Sequence, residues 1–282
     1  MRVKGLTSYQ LKWIAIVFMV VDHINSYFGM QLGLPIWVSW LGRFVAPLFV
    51  FLLVEGFKYT HSKYQYAKRL GIAAFVVAIG NIIYHLLTGN YISEYNHQPN
   101  YYLFLGPHNI FLTLFLLFCL MWLLSIIKGK TLWRKGMLVA VALLLVMITI
   151  AFSECGLYLV PMLLLMYFFR EKKERGKLVL GIFVYTLILF CLAILSYTQM
   201  PDYQSLYQFL TFDNEFMMVT VIPFIILYNG KLGGAGRTFD KYFFYLFYPL
   251  HLWIIYSVLR ERGLMSQKRL ICFYELFQTL QF

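Results

Sequence analysis

The chain has 282 residues, of which 61% are hydrophobic and only 13% are charged, and its formal net charge is +12. Soluble domains are about 45–50% apolar and about 25% charged, so this composition excludes an ordinary water-soluble fold. The positive charge does not indicate nucleic-acid binding, because Lys and Arg alternate with apolar runs instead of forming one basic patch. We therefore predict a multi-pass membrane protein.

Apolar runs of membrane-spanning length predict an all-α transmembrane bundle of about nine to ten spans. In chain order, we place the helices near 10–30, 36–57, 66–88, 108–127, 136–152, 156–169, 178–199, 215–229 and 242–260. The break at 153–155 is slight, so the stretch 136–169 is either two spans or one interrupted helix. No soluble domain or linker is evident, and we treat residues 1–282 as one transmembrane domain.

The basic residues of alternate connecting segments predict the orientation of the bundle. Lys and Arg concentrate at the start of the chain and in four later segments, near 58–69, 128–135, 170–177 and 231–241. The intervening segments 31–35, 89–107, 153–155 and 200–214 contain neither. By the positive-inside rule, the basic segments and the N-terminus are cytoplasmic. Nine spans would leave a basic tail outside, so either the count is even or residues 263–282 form an interfacial or re-entrant helix.

A few ionisable and polar residues lie within the predicted spans, where a charge costs at least ~2.5–3.5 kcal/mol and usually faces the bundle interior. Five of them fall at a similar depth in the outer half: Asp22, His23, Arg43, His108 and Asn109. Histidine titrates near neutrality and a charged neighbour tunes it, so this group can supply a general base. Adjacent helical residues point ~100° apart, so we expect only one of Asp22 and His23 to face a reaction.

Each of these residues also has a structural interpretation. Arg43 and Asp22 can form an ion pair that locks two helices together. His23 can be a hydrogen-bonded helix contact. His108 and Asn109 can simply begin a helix, because Asn is a favoured cap.

Polar residues elsewhere in the spans leave similar alternatives. Glu55, near the inner end of the second span, can pair with Lys58 at the interface. Tyr248 and His251 lie near the middle of the last span, where His251 can satisfy backbone groups freed by Pro249. The widely separated cysteines have no metal-ligand spacing, so we expect neither a metal site nor a disulfide framework.

Four local patterns carry a family resemblance: LKWIAIVFMVVDHI (11–24), LGRFVAPLFVFLLVEGFKYT (41–60), HNIFLT (108–113) and KYFFYLFYPLHLWIIY (241–256). In order and spacing they resemble the TraX family of bacterial membrane proteins. The resemblance extends over nearly the whole chain. The family is named for a protein that acetylates the N-terminus of F-type pilin. It is similar to transmembrane acyltransferases that use cytosolic acyl-CoA to modify acceptors across the membrane.

The resemblance implies that His23 is the catalytic residue. Further site residues that it implies are Arg43, Pro47, Glu55, Asn109, Tyr248 and His251. The chain departs from the family pattern at Asn81, where relatives often have an acidic residue, and at Cys155-Gly156, preceded by Glu154, where they often have Tyr-Gly. These departures bear on the acceptor more than on the reaction.

The leading hypothesis is an acyltransferase of the bacterial cytoplasmic membrane. It transfers an acyl group from cytoplasmic acyl-CoA to an acceptor at the outer face of the membrane, and we expect that group to be acetyl. The acceptor is an amine or hydroxyl of a peptide N-terminus, sugar or other polymer. His23 takes the acceptor's proton, and Arg43 or Asn109 stabilises the oxyanion, with Asp22 beside them. We expect the substrate to contact Glu55, His108, Glu154, Tyr248 and His251.

Basic cytoplasmic side chains are the candidates for binding the CoA phosphates through charge-assisted bonds. They are Lys58, Lys68, Arg69, Lys172 and Arg237. Apart from acyl-CoA and the acceptor, membrane lipid is the expected partner, and no metal is expected. Two other functions fit the same residues: an ion- or proton-coupled transporter that uses the buried charges, and a non-catalytic membrane scaffold.

Overall fold

The computed structural model describes residues 5–88, 109–127, 129–199, 205–234 and 238–261, and the statements below concern these residues. The α-helices are α1 (Ser8–Phe28), α2 (Val45–Tyr59), α3 (Lys63–Thr88), α4 (Ile110–Ile127), α5 (Leu132–Phe152), α6 (Gly156–Phe168), α7 (Arg175–Thr198), α8 (Leu206–Phe212), α9 (Ile222–Leu227) and α10 (Thr238–Glu261). Short 3₁₀ helices cover Ile36–Gly42, Lys172–Glu174 and Glu215–Val221. No strand occurs in the described part of the chain, which confirms the all-α prediction.

Six helical segments of the described chain are long and apolar enough to cross a membrane. The pair Leu206–Phe212 and Glu215–Leu227 is bent by 68° and adds a seventh if it is one broken span. Gly156–Phe168 and Phe243–Val258 are apolar but shorter than a typical span. The total of nine to ten spans and the cytoplasmic N-terminus therefore remain predictions. His108, Arg237 and the tail 263–282 lie outside the described residues.

The helices differ from the predicted spans at two places, residues 36–57 and 200–214. The predicted helix 36–57 divides into a 3₁₀ helix and α2, and Pro47 falls in the first turn of α2, where its missing N–H breaks no helical bond. The region 200–214, predicted as a connecting segment, contains α8, capped by the Ser205 side chain. At 153–155 the chain does break, because Cys155 adopts a φ of 54° between α5 and α6. The stretch 136–169 is thus two helices.

The core of the bundle lies around α2, which packs against α1, α4 and α6. Large side chains in this core are completely inaccessible, among them Leu48, Leu117, Met121, Leu159 and Met162. The peripheral helices α3, α5 and α7 instead expose many large apolar side chains. An apolar exterior of this extent is stable in lipid and not in water, as the composition predicted.

Helices α1 and α10 lie side by side and run parallel. Their contacts advance together along both helices: Trp13 stacks on Phe243 with ring centroids 5.0 Å apart, and Tyr27 meets Tyr256 at 5.6 Å. Because the two helices are parallel, residues at the same depth in α1 and α10 face each other.

The segments rich in Lys and Arg meet at one end of the bundle, called here the basic end: residues 5–12, 58–69, 170–177 and 228–232. Its contacts are specific, with Lys58 Nζ 3.5 Å from Glu171 Oε2 and Arg175 Nη1 donating to the Tyr228 carbonyl at 3.0 Å. The backbone N–H of Leu6 also donates to the Leu227 carbonyl at 2.7 Å. The basic segments, which alternate in the sequence with segments that lack Lys and Arg, therefore lie together in space where the structure describes them.

Candidate functional site

A pair of histidines lies at the interface of α1 and α10. Nδ1 of His23 is 2.9 Å from Nε2 of His251, and the two rings are inclined by 33° with centroids 5.0 Å apart. His251 is 8% exposed, and the ring of Phe247, one turn earlier, stacks on it at 5.2 Å. The sequence predicted both histidines as site residues but did not predict that they touch.

The backbone decides how the protons are distributed in this pair. Nδ1 of His251 lies 3.0 Å from the carbonyl oxygen of Phe247, which can only accept, so Nδ1 of a neutral His251 carries the hydrogen. Its Nε2 then has the lone pair and accepts from Nδ1–H of His23. Neutral His23 consequently has its lone pair on Nε2, and that nitrogen can accept a further proton. The bond to Phe247 also differs from the predicted one, because Pro249 frees a different carbonyl, that of residue 245.

Tyr248 of α10 links the histidine pair to the start of α4, which Asn109 precedes. The Tyr248 ring meets the His251 ring edge-on at 5.6 Å, and its hydroxyl accepts from the backbone N–H of Ile110 at 3.4 Å. Asn109 accepts from the Leu112 N–H at 3.1 Å and donates to the Ala74 carbonyl at 2.9 Å. Asn109 is therefore a helix cap that also joins α4 to α3, which favours its structural interpretation.

Asp22 faces a different element from His23, as expected for adjacent helical residues. It packs against Gly42, where even a Cβ would overlap the Asp22 carboxylate. The neighbouring Arg43 pairs with Glu215, its Nη1 lying 3.3 Å from Oε1. The principal partner of Arg43 is thus Glu215 from a distant part of the chain, while Asp22 and Glu154 contribute as further nearby carboxylates.

The surroundings of Arg43 are polar and partly unsatisfied. Within the described chain, the buried Nε of Arg43 and Oε2 of Glu215 have no hydrogen-bond partner. The side chain of Asn214, which precedes Glu215, donates to Ser39 Oγ at 3.1 Å and so ties the two 3₁₀ helices together. This end of the bundle, opposite the basic end, therefore presents an arginine with an unused donor near Asp22 and Glu215.

A cavity of about 1070 Å³ extends inward from the basic end. At its outer rim are polar side chains from several elements, including Lys12, Glu55, Arg69 and Tyr228. Lys12 forms no ion pair with a described residue, and its Nζ lies 5.2 Å from the centre of the Phe244 ring. Pairing of Glu55 with Lys58 was the structural alternative to a site role, but Lys58 pairs with Glu171, and Glu55 lies in the cavity wall.

The inner end of this cavity is apolar and reaches the level of the histidine pair. It is lined there by Met19, one turn before His23, and by Phe247 and Tyr248, whose rings contact His251. The eleven residues from Lys12 to His23 correspond to about 16 Å along the helix. The cavity therefore extends from the basic end toward the histidines, and the two aromatic rings separate it from His251.

The residues predicted to bind the CoA phosphates do not all lie in one cavity. Arg69 lines the large cavity, whereas Lys58 and Lys172 line a second pocket of about 60 Å³ together with Arg170 and Arg175. The two cavities share Glu55, Tyr59 and Gly230, so they adjoin. Lys68 is exposed and lines neither of them.

Lys12 and Glu215 are among the site residues that sequence reasoning missed. Lys12 was interpreted only as an orienting charge, although the spacing 12, 16, 19, 23 places it on the face of α1 that carries His23. The cavity wall includes Lys12, Ile16 and Met19, in agreement with that spacing. For Glu215 no such signal existed, because it lies 172 residues from Arg43.

Comparison with known proteins gives one family. The family model described as TraX protein matches residues 7–259. No curated protein and no solved structure matches the chain.

Proposed function

This chain belongs to the TraX family, and we propose that it is a membrane acyltransferase that moves an acetyl group from cytoplasmic acetyl-CoA to an amine or hydroxyl at the outer face. The family is associated with pilin acetylation, which supports acetyl transfer as the reaction. The observation that carries the proposal is the cavity that extends from the basic end toward the histidine pair and ends at the rings that pack against His251. A thioester must reach a base inside the membrane, and this cavity supports a route for it that only the rings of Phe247 and Tyr248 close.

The donor enters from the basic end in this proposal. The phosphates of CoA bind where cations are concentrated, at Arg69 and in the adjoining pocket lined by Lys58, Arg170, Lys172 and Arg175. The pantetheine arm then follows the cavity past Lys12 toward Met19. The apolar inner end suits the acetyl group and excludes water that would hydrolyse the thioester.

The acceptor arrives from the opposite end and meets the thioester beside His23. Its nitrogen or oxygen attacks the carbonyl carbon while Nε2 of His23 takes the proton, since an amine or hydroxyl is a poor nucleophile until deprotonated. The tetrahedral oxyanion receives a hydrogen bond from Arg43, whose Nε–H has no acceptor among the described residues. The C–S bond then breaks, and the His23 imidazolium returns its proton to the departing CoA thiolate.

A direct assay of the purified protein tests the proposal. Wild type, His23→Ala and His61→Ala are given radiolabelled acetyl-CoA, and its binding, hydrolysis and transfer to added amines and sugars are measured. His61 is an exposed loop residue at the basic end and serves as the matched control. We expect turnover by wild type and His61→Ala, and a loss of at least about 100-fold in His23→Ala.

Three results would count against the proposal or part of it. A wild-type protein that neither binds nor turns over CoA thioesters excludes the transferase. Activity of His23→Ala equal to that of His61→Ala removes His23 as the base but leaves the enzyme. Flux of ions or solutes through protein-containing liposomes without any CoA would establish the transporter instead.

A further inference from the structure

In the hydrogen bond between the two histidines, His23 is the donor and His251 is the acceptor, and this decides which nitrogen of His23 is basic. The carbonyl of Phe247 fixes the hydrogen of His251 on Nδ1, at a distance of 3.0 Å. The opposite arrangement, in which Nε2 of a neutral His251 donates to His23, would place an unprotonated Nδ1 against a carbonyl oxygen. Two acceptors at hydrogen-bond distance repel each other and leave a buried polar group unsatisfied. Only one arrangement of neutral histidines therefore gives hydrogen bonds both between His23 and His251 and between His251 and the Phe247 carbonyl.

We propose that His251 is a positioning residue that holds His23 in the Nδ1–H tautomer, so that Nε2 of His23 is the basic atom. This inference rests on the proposed function, since it assigns His251 a role in the same site. His251 itself does not meet the substrate. It acts through the 2.9 Å bond to Nδ1 of His23 and through the ring orientation that this bond imposes.

The surroundings of His251 favour a fixed orientation of its ring. The side chain is 8% exposed, the Phe247 ring is stacked on it with an interplanar angle of 11°, and Tyr248 contacts its edge. A ring held by packing on one face and at one edge, and by the backbone at Nδ1, cannot rotate freely. His251 is thus a rigid acceptor, comparable to the groups that orient catalytic histidines in other enzymes.

The same hydrogen bond is kept when His23 becomes positively charged during the reaction. When Nε2 of His23 takes the acceptor's proton, the imidazolium keeps its Nδ1–H bond to Nε2 of His251. No proton needs to leave Nδ1, and no rearrangement precedes the return of the proton to the thiolate. The positive charge formed on His23 is stabilised by an acceptor that is already in place.

The tautomer of His23 is measurable without an activity assay. The protein is labelled with ¹⁵N-histidine, and the His23 signals are assigned by their loss in His23→Gln. We expect wild-type His23 to show a protonated Nδ1 and an unprotonated Nε2. In His251→Phe, which has a ring of similar size but no acceptor, we expect the opposite tautomer to become substantially populated. A wild-type His23 that is protonated on Nε2 would overturn the inference.

Kinetic measurements on three substitutions of His251 separate positioning from packing. Gln carries an amide oxygen that can lie near the former Nε2, so His251→Gln should retain most of the wild-type kcat. Asn reaches only the former Nδ1 position, so His251→Asn should lose at least about tenfold in kcat, as His251→Phe should, with KM for acetyl-CoA unchanged. Equal kcat values for His251→Gln and His251→Asn, in proteins of equal Tm, would show a merely structural role and overturn the inference.

The two proposals fail in different ways. If the wild type shows the expected tautomer but no reaction with acetyl-CoA, the acyltransferase is excluded while the arrangement of the histidines stands. If the wild type is active but kcat responds equally to all three substitutions, the acyltransferase stands and the positioning role of His251 is excluded. Should His251→Phe fail to fold, the comparison of Gln with Asn decides alone.

Discussion

Nδ1 of His23 lies 2.9 Å from Nε2 of His251, although the two residues are 228 positions apart in the chain. The contact exists because α1 and α10 are parallel neighbours, so residues at the same depth in the two helices face each other. It brings together the first and the last of the family-like sequence patterns. A cavity from the basic end stops at the rings that pack against this pair.

Replacing Lys12 should weaken donor binding. Lys12 contributes a cation to the cavity wall and forms no ion pair with a described residue, so we expect Lys12→Met to raise KM for acetyl-CoA roughly tenfold, the value of one charge-assisted bond. Lys12→Arg should restore most of the affinity. The control is Lys135→Met, which removes an exposed cation outside both cavities. An equal KM for Lys12→Met and Lys135→Met would contradict the donor route.

Breaking the Arg43–Glu215 pair should destabilise the protein more than removing both partners. Glu215→Met leaves a largely buried guanidinium without its principal counter-ion, and we expect a loss of about 1–3 kcal/mol, seen as a lower Tm in detergent. Arg43→Met combined with Glu215→Met should recover much of that Tm but remain inactive, because the oxyanion donor is gone. A double variant less stable than either single variant would refute this account.

A methyl group at position 42 should disturb the site. A Cβ on Gly42 overlaps the Asp22 carboxylate, so Gly42→Ala must displace either Asp22 or the 3₁₀ helix, and we expect a lower Tm and lower activity. Gly136→Ala is the matched control, since a Cβ there meets no atom within 4 Å. Thermal unfolding in detergent compares them, and indistinguishable Tm values for the two alanine variants would disprove the predicted overlap.

Truncating Phe247 should open the inner end of the cavity. Its ring separates the cavity from His251, so Phe247→Ala should let water reach the thioester, and acceptor-independent hydrolysis of acetyl-CoA should rise while transfer falls. Phe75→Ala removes a ring that is 66% exposed on the outside of α3 and should change neither rate. The ratio of hydrolysis to transfer is the measured quantity, and an unchanged ratio in Phe247→Ala would exclude a closing role for the ring.

The orientation of the bundle is testable by thiol labelling in a cysteine-free background. The positive-inside rule places the basic end in the cytoplasm, so Ser62→Cys should react with a membrane-impermeant reagent only after cells are permeabilised. Leu32→Cys, in the exposed turn after α1, should react in intact cells. The reverse pattern would place the N-terminus outside and the cavity mouth with it.

Much of the architecture could be predicted from the sequence because the bilayer imposes it. Long apolar runs must be helical in lipid, since every backbone N–H and C=O has to form its hydrogen bond within the segment. For this reason the predicted bounds of α4, α5 and α7 lie within a few residues of the observed ones. The predictions were poorer where the helix is interrupted. The 3₁₀ helix at Ile36–Gly42 and the bent pair near residue 213 depend on tertiary contacts such as Asn214 with Ser39.

Sequence alone determined the class of protein, its family, the alternation of basic segments with segments that lack Lys and Arg, and the candidate status of His23, Arg43 and His251. These properties depend on composition, local order and residue type, which can be read directly. Only the tertiary structure decided the partners: His251 for His23, Glu215 for Arg43 and the cavity wall for Lys12. Such pairings depend on which helices become neighbours and on how each helix is rotated about its axis. The hydropathy of the sequence carries no information on either. The same contact also assigns the tautomer of His23, because the Phe247 carbonyl leaves the pair only one satisfied arrangement.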